Sequence, residues 1–491
     1  MKRSTPLFLL AFLLFAQGCV TVEQNPLSGN KRAYGYTWAQ EQQLGQEADQ
    51  QIIQQYGLYD NAQLSAYVTR IGEKVLQESH LYRPGAPAEF RIPFTFRVLD
   101  SPVVNAFALP GGFCYVTRGL LSHLENEAQL AVVLGHEIGH VAGRHTSRRA
   151  ANQSFAQIGL IGAAIGGQAA LGGQAAETIL GTGSQLAQLG LLRYGRDDER
   201  ESDRVGVEYA TMAGYQAEEG SEFFRSLKRI TEASGQSIPS FMSTHPDPGE
   251  REATILQLAA QFEQQVPGNS DVIEREGYLR QIEGIVMGDD PRQGYTEGGA
   301  FYHPELRFQF PVPSGFQVIN QPSQVVLSSE KAVMVFTFAQ AASAQEAASA
   351  FAGQEGFTTV ESGPTQQNGL NGYYVVVDIS AQQGAIRAIN QFIEYNGQVY
   401  SFLGYSTLAD FSTYQNAFVN TLRSFAPLTD SRRINVQPKR LGLVQANRTA
   451  PFSSFVPTQL PIDIDANRLA IMNQVELNET IPAGTTIKIP R

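Results

Sequence analysis

Apolar residues recur at three- and four-residue steps through the first half of this chain and at alternate positions through much of the second, which predicts helices first and an antiparallel sheet later. Leu64, Tyr67, Val68, Ile71 and Val75 mark one helical face packed on a core. Before them, Thr37 and Gln40 form a capping box that opens a helix running through Leu44, Ala48 and Ile52 toward Tyr56. Phe94, Phe96 and Val98 alternate with polar neighbours, as strand residues do. Ala106 to Thr117 reads as a strand or hairpin kinked at Pro110-Gly111-Gly112, because Pro and Gly confine such a segment to a sheet edge or a turn. A helix capped by Asn126 and Gln129 follows and turns Leu130, Val133, Leu134, Ile138 and Val141 inward.

Gly135, Gly139 and Gly143 fall four apart on that helix, and each costs about 1 kcal/mol against alanine in a helix interior. The close approach of a second helix offsets such a cost. From Phe155 to Leu192 the chain carries Glu177 as its single charge, and its many Gly and Gln residues favour a helical hairpin near the cleft over a membrane span. The predicted order is a leader at 1–18, a tether at 19–33, a mainly helical domain with a small sheet and an edge strand at 34–265, and a linker at 266–300. An antiparallel α+β domain at 301–428 and a small end segment at 433–491 complete an α+β multidomain chain.

Composition agrees, since 491 residues exceed what one core supports. A net charge of -11 with both signs interspersed offers no basic face, which excludes nucleic acid as a partner. Met1 to Gly18 shows a basic start, an apolar run and small residues before Cys19, the pattern of an export signal. Cleavage after Gly18 makes Cys19 the new amino terminus; Ala16 and Gln17 depart from the usual lipoprotein box, so a freely soluble exported protein is the alternative. Cys114, the one other cysteine, reads as a buried strand residue, and the fold does not depend on disulfides.

The chemistry concentrates in His136-Glu137-Ile138-Gly139-His140. Two imidazoles four residues apart share a helical face and can hold one metal ion, while Glu137 can act as a base on a water beside it. A hydrolytic zinc site needs a third protein ligand. Downstream, Glu199 and Asp203 share a face that Gly206 and Ala210 continue, whereas Glu201 points elsewhere. Glu199 is therefore assigned as third ligand over Glu201, with Asp203 accepting a hydrogen bond from a ligand imidazole.

HEIGHVAGRH, Glu199 to Gly206 and NAFALPGGFCYVTRGLL together resemble the BepA-like bacterial zinc metallopeptidases, gluzincins of the superfamily of HtpX and the CAAX prenyl endopeptidases, over roughly Tyr34 to Phe262. The family has Ala where Ser202 stands, and no tetratricopeptide repeat follows here. The resemblance implies one zinc per chain, a zincin-type fold, and an edge strand at Asn105, Ala106, Phe107 and Ala108 that binds an extended polypeptide. Thr244-His245-Pro246 with Arg251 matches the family's THPxxxxR pattern, which implies that His245 approaches the zinc to stabilise an oxyanion or to fill the open metal position, with Arg251 ordering the loop. His145 is expected to be structural.

The leader resembles that of Gram-negative lipoproteins, in which Cys19 is acylated; Val20 then implies outer-membrane anchoring facing the periplasm. Residues 301–428 resemble the PsbP/Mog sandwiches in pattern, and the end segment resembles the second half of a LysM module, which implies peptidoglycan as a partner. The expected function is cleavage of unfolded or misassembled envelope proteins. The alternative is a chaperone-like or wall-associated binding lipoprotein with a latent or regulatory zinc site. Glu137 favours the enzyme, because a zinc scaffold needs no base between its histidines.

Overall fold

The computed structural model describes residues 20–152, 194–233, 245, 250–266, 270–381, 384–461 and 464–491. The leader, Cys19 and the hairpin expected over 155–192 lie outside the described residues. The first described element departs from expectation. Strands β1 (Thr21–Gln24) and β2 (Lys31–Tyr34) pair antiparallel, so most of the stretch expected to be a tether is a hairpin. Tyr34 is fully buried, and the Asn25 amide donates to its hydroxyl at 2.9 Å and to the Gly143 carbonyl at 3.3 Å. The polar composition hid this, because the hairpin is fixed by buried hydrogen bonds and charge pairs rather than by an apolar face.

Helix α1 (Trp38–Tyr56) begins as expected, with the Thr37 hydroxyl accepting from the Gln40 amide and the Gln40 side chain accepting from the Thr37 N–H. Helix α2 (Ala62–Gln77) buries all five of its predicted face residues. Strands β3 (Thr95–Leu99), β4 (Ala106–Leu109) and β5 (Phe113–Thr117) form a sheet in the order β3-β5-β4, with β3 parallel and β4 antiparallel to β5. Gly111 and Gly112, at φ 79° and 94°, make the tight turn between β4 and β5, a backbone state that residues with a Cβ rarely adopt. The hairpin expectation holds, and β4 is the edge.

Helices α3 (Arg118–His123), α4 (Glu127–Ala142), α5 (Arg196–Met212), α6 (Gly220–Ala233) and α7 (Arg251–Glu263) complete the unit, with every residue of α4 buried. The expected linker at 266–300 needs correction. It holds α8 (Arg275–Ile282), whose Tyr278, Leu279 and Ile282 are buried in the same core as α4. The Tyr278 hydroxyl donates to the Leu121 carbonyl at 2.6 Å. Three apolar residues among charges were too few to announce this helix.

The antiparallel domain starts a few residues earlier than expected. Strands β6 (Tyr295–Glu297), β7 (Ala300–His303) and β8 (Phe308–Pro311) form a small sheet. Strands β9 (Gln317–Gln321), β10 (Gln324–Ser328) and β11 (Ala332–Ala339) belong to a larger one, followed by helix α9 (Ala344–Ala352). Strands β12 (Phe357–Gln367), β13 (Leu370–Ala381), β14 (Gly384–Tyr395) and β15 (Gln398–Thr407) complete it in the order β12-β13-β14-β15-β11-β10-β9. One face packs Ile389, Ile393 and Phe402 against Phe308, Phe310 and helix α10 (Phe411–Arg423); the other packs Ala388, Phe392 and Leu403 against α9. Strand β16 (Ala426–Pro427) then joins the small sheet.

The end segment does not stand apart. Strand β17 (Leu441–Gln445) pairs with the last strand, while β18 (Ala450–Pro451), helix α11 (Ala466–Met472) and β19 (Thr480–Ile481) lie between it and β20 (Thr486–Pro490). Leu469, Ala470 and Met472 enter the core that holds α4. Lys488 is wholly buried, its ammonium donating to the Ser122 carbonyl at 3.0 Å and the Leu124 carbonyl at 2.8 Å, and pairing with Glu125 at 2.8 Å. Residues on either side of the antiparallel domain also meet: Gly284 N–H donates to Leu441 O at 2.7 Å and Met287 N–H to Lys439 O at 2.9 Å.

Candidate metal centre

The site is built by the crossing of α4 and α5. Asn126 caps α4 by accepting from the Gln129 amide at 2.9 Å, which starts the helix where His136 and His140 will face α5. The glycines set how close the two helices come. A Cβ on Gly135 would lie 2.7 Å from the Gly206 carbonyl oxygen, and one on Gly139 would lie 2.7 Å from Val205 Cγ2. The expected backbone approach is therefore present at Gly135 and Gly139. Gly143 departs from it, ending the helix as its C-cap.

That crossing brings Glu199 to the histidine pair. His136 Nε2 and His140 Nε2 are 2.9 Å apart, and the two Glu199 oxygens lie 3.5 Å from them, one each. His245 contributes Nδ1, 3.3 Å from His136 Nε2 and 3.0 Å from Glu199 Oε1. One donor atom from each of His136, His140, Glu199 and His245 falls within 4.8 Å of the others, and all four residues are buried. Asp203 Oδ1 lies 2.9 Å from His136 Nδ1. Arg251 Nε donates to Asp203 Oδ2 at 2.9 Å while its Nη1 pairs with Glu199 Oε2 at 3.1 Å.

Electrostatics suit a cation. Burial, reinforced by Arg251, pushes His136 down to about 4, and burial with the neighbouring histidines holds His140 well below the usual imidazole range. Both rings are thus neutral, as a metal ligand must be. Burial opposes ionisation of Glu199, but His245 and Arg251 outweigh it and keep its pKa below the ordinary value. Burial likewise opposes protonation of His245, and Glu199 and Glu137 outweigh it, so its pKa is raised. Two imidazoles with one carboxylate form the set that zinc takes in hydrolytic sites.

Glu137 is fully buried, with neither carboxylate oxygen hydrogen-bonded among the described residues. Burial lifts its pKa to about 7. An unsatisfied buried carboxylate is costly, so it marks a place where another group belongs. His245 Nε2 stands 3.6 Å from Glu137 Oε1. A surface cleft lined by Arg196, Glu199, Arg200, Asp203 and Arg251 lies on the Glu199 side of the group.

The remaining expectations divide. Glu201 lies outside the group of four: it accepts from Arg32 at 3.1 Å and pairs with His145 at 3.1 Å. Asn105, Ala106, Phe107 and Ala108 do run into the edge strand, but all four are buried, and the Tyr194 hydroxyl donates to the Ala108 carbonyl at 3.2 Å. Tyr194 also stacks on His140, ring centroids 3.7 Å apart. Nothing in the sequence pointed to Tyr194, which follows the long uncharged stretch without a motif of its own. Cys114 is buried and its thiol pushed well up by burial, as a structural residue should be.

Residues 62–259 match the model of peptidase family M48. The chain is 27% identical over 268 residues to the beta-barrel assembly-enhancing protease of Escherichia coli (strain K12), covering 52% of this chain and 50% of that one. It is 30% identical over 168 residues to the mitochondrial metalloendopeptidase OMA1 of Arabidopsis thaliana, covering 34% and 32% of the two. Against the OMA1 of Schizosaccharomyces pombe the identity is 26% over 234 residues, 47% of this chain and 64% of that one. The chain thus spans about half the length of the assembly-enhancing protease it matches.

Proposed function

We propose that this chain, with its peptidase family M48 segment at 62–259, is a zinc-dependent endopeptidase acting on unfolded or misassembled envelope polypeptides. The observation that carries the reading is Glu137, a buried carboxylate with no hydrogen bond among the described residues, beside two neutral imidazoles and Glu199. His136, His140 and Glu199 would hold the metal. Zinc bound there supplies Lewis acidity, which polarises a carbonyl and acidifies water.

The chain's own groups do the rest. Glu137, with a pKa near 7, is placed to take a proton from an attacking water and return it to the leaving amine. Such acid-base work is worth about 10²- to 10⁴-fold. Asp203 and Arg251 hold His136 and Glu199 in register. His245, as a fourth donor in the same group, suits a resting state in which it fills the position a substrate carbonyl would take. The edge strand β4 would receive the substrate backbone once Tyr194 leaves Ala108.

Likeness to a protease named for enhancing beta-barrel assembly supports envelope polypeptides as substrates, and the leader pattern at 1–18 supports export with acylation at Cys19. Among the described residues no helix is long and apolar enough to cross a membrane. The test is digestion of an unfolded protein with metal analysis. Wild type should carry about one zinc and cleave, and Glu137→Gln should keep the zinc and lose cleavage. Equal cleavage by both would end the reading.

A further inference from the structure

We infer that the amino-terminal hairpin β1–β2 is a working part of the metal centre: Arg32 fixes Glu201, Glu201 fixes His145, and His145 orients the metal ligand His140. The inference rests on the zinc reading above. Both ligand histidines turn Nε2 toward Glu199. When Nε2 gives its lone pair to a metal, the ring proton must sit on Nδ1, and an acceptor there sets the ring's orientation. For His136 that acceptor is Asp203.

His140 has a different partner. Its Nδ1 faces Nδ1 of His145 at 2.9 Å. Two ring nitrogens at that distance bond only if one carries a proton and the other does not. His140 Nδ1 is the protonated one, so His145 Nδ1 accepts, and the proton of His145 lies on Nε2. That nitrogen is 3.1 Å from Glu201 Oε2, an acceptor. The Ser202 hydroxyl, 3.4 Å from the same Nδ1, makes the longer contact.

Glu201 is itself held by a fork. Arg32 Nη1 and Nη2 donate to its two oxygens at 3.1 and 3.3 Å, and Arg148 Nη1 adds a bond of 3.3 Å. Arg32 lies on β2, and the hairpin is tied to the end of α4 by Asn25 on the Gly143 carbonyl and by Glu23 on Arg144 at 2.6 Å. A buried imidazole of any role needs an acceptor for its N–H, but His145 is bridged at both nitrogens, to the ligand His140 on one side and to the held carboxylate Glu201 on the other. His145 and Glu201 are thus positioning residues for His140.

The test uses the full chain as wild type, His145→Phe, His145→Gln, Glu201→Ala and Arg32→Met, with zinc affinity read by competition against a chromophoric chelator and unfolding of the zinc-free forms followed alongside. His145→Phe and Glu201→Ala should weaken zinc by about 10- to 100-fold, and Arg32→Met by about 3- to 10-fold. His145→Gln, which keeps an acceptor, should recover most of the affinity. Arg32→Met added to Glu201→Ala should cost nothing further, since both break one linkage. Zinc affinity within twofold of wild type in His145→Phe and Glu201→Ala, or equal losses in His145→Gln and His145→Phe, would overturn the inference and leave the zinc reading standing. A wild-type chain that takes up no zinc would overturn both. Should His145→Phe fail to fold, Arg32→Met decides: unchanged affinity there rejects the linkage.

Discussion

Gly206 lies flat against the backbone of His136, so close that a Cβ built on it would sit 2.7 Å from the His136 nitrogen. Backbone cannot move aside as a flexible side chain can. In an open helix interior, glycine to alanine gains about 1 kcal/mol. Here overpacking reverses the sign, and Gly206→Ala should destabilise the protein by about 1–3 kcal/mol in urea unfolding. A stabilised variant would mean that the helices do not cross this closely.

His245 lies 3.0 Å from Glu199 Oε1 and 3.3 Å from His136 Nε2, where on the proposed reading a substrate carbonyl would approach the metal. Replacing it by alanine should open that position. Cleavage of a pre-unfolded protein is expected to rise about tenfold, equivalent to about 1.4 kcal/mol. A loss of activity with zinc content unchanged would assign His245 to oxyanion stabilisation instead.

His123 sits under the end segment, its carbonyl accepting from Gln474 Nε2 at 2.9 Å. Burial, helped by the charges of Arg468 and Lys488, pushes its pKa down to about 3. In the unfolded chain the ring protonates near 6.5, so below that pH the unfolded state binds the extra proton and the fold does not. This contribution to stability is intact above about 6.5 and shrinks as the pH falls toward 3, by about 3 kcal/mol at pH 4. Thermal unfolding from pH 8 to 4.5 should show the decline, and His123→Phe should make it shallower, the contributions of His136 and His140 remaining.

Lys488 is buried against Glu125, which Arg275 also holds at 2.7 Å, so removing the ammonium leaves chiefly the buried Ser122 and Leu124 carbonyls without their donor. Lys488→Met should therefore cost about 3 kcal/mol. Because Lys488 also binds the carbonyls of Ser122 and Leu124, just ahead of α4, the loss should appear in hydrogen exchange of α4 and not only in the end segment. Loss confined to β17 and β20 would show that the end segment folds independently.

Much of the centre was legible because helical spacing is local. His136 and His140 share a face by count, and Glu199 with Asp203 by the same count; the glycines announced a neighbour before α5 was known to be it. The antiparallel domain was legible because alternation over long strands such as β13 and β15 is hard to mistake. What escaped reading depends on partners far apart in sequence. Arg32 meets Glu201 across 169 positions, and Lys488 meets Ser122 across 366. Polar residues that pair only after folding look, in sequence, like a tether or a linker. Tyr194 escaped for the same reason, since its stacking on His140 has no periodicity to betray it.

The short ladder in which Gly284 and Met287 meet Leu441 and Lys439 places the two ends of the antiparallel domain side by side. That domain is therefore an insertion in the helical unit rather than its continuation: the chain leaves that unit after Met287, builds the sandwich, and re-enters at Lys439 to finish the body it left. A graft joining those two points with a few residues would close the helical unit without the sandwich, and a different domain could be spliced at the same gap.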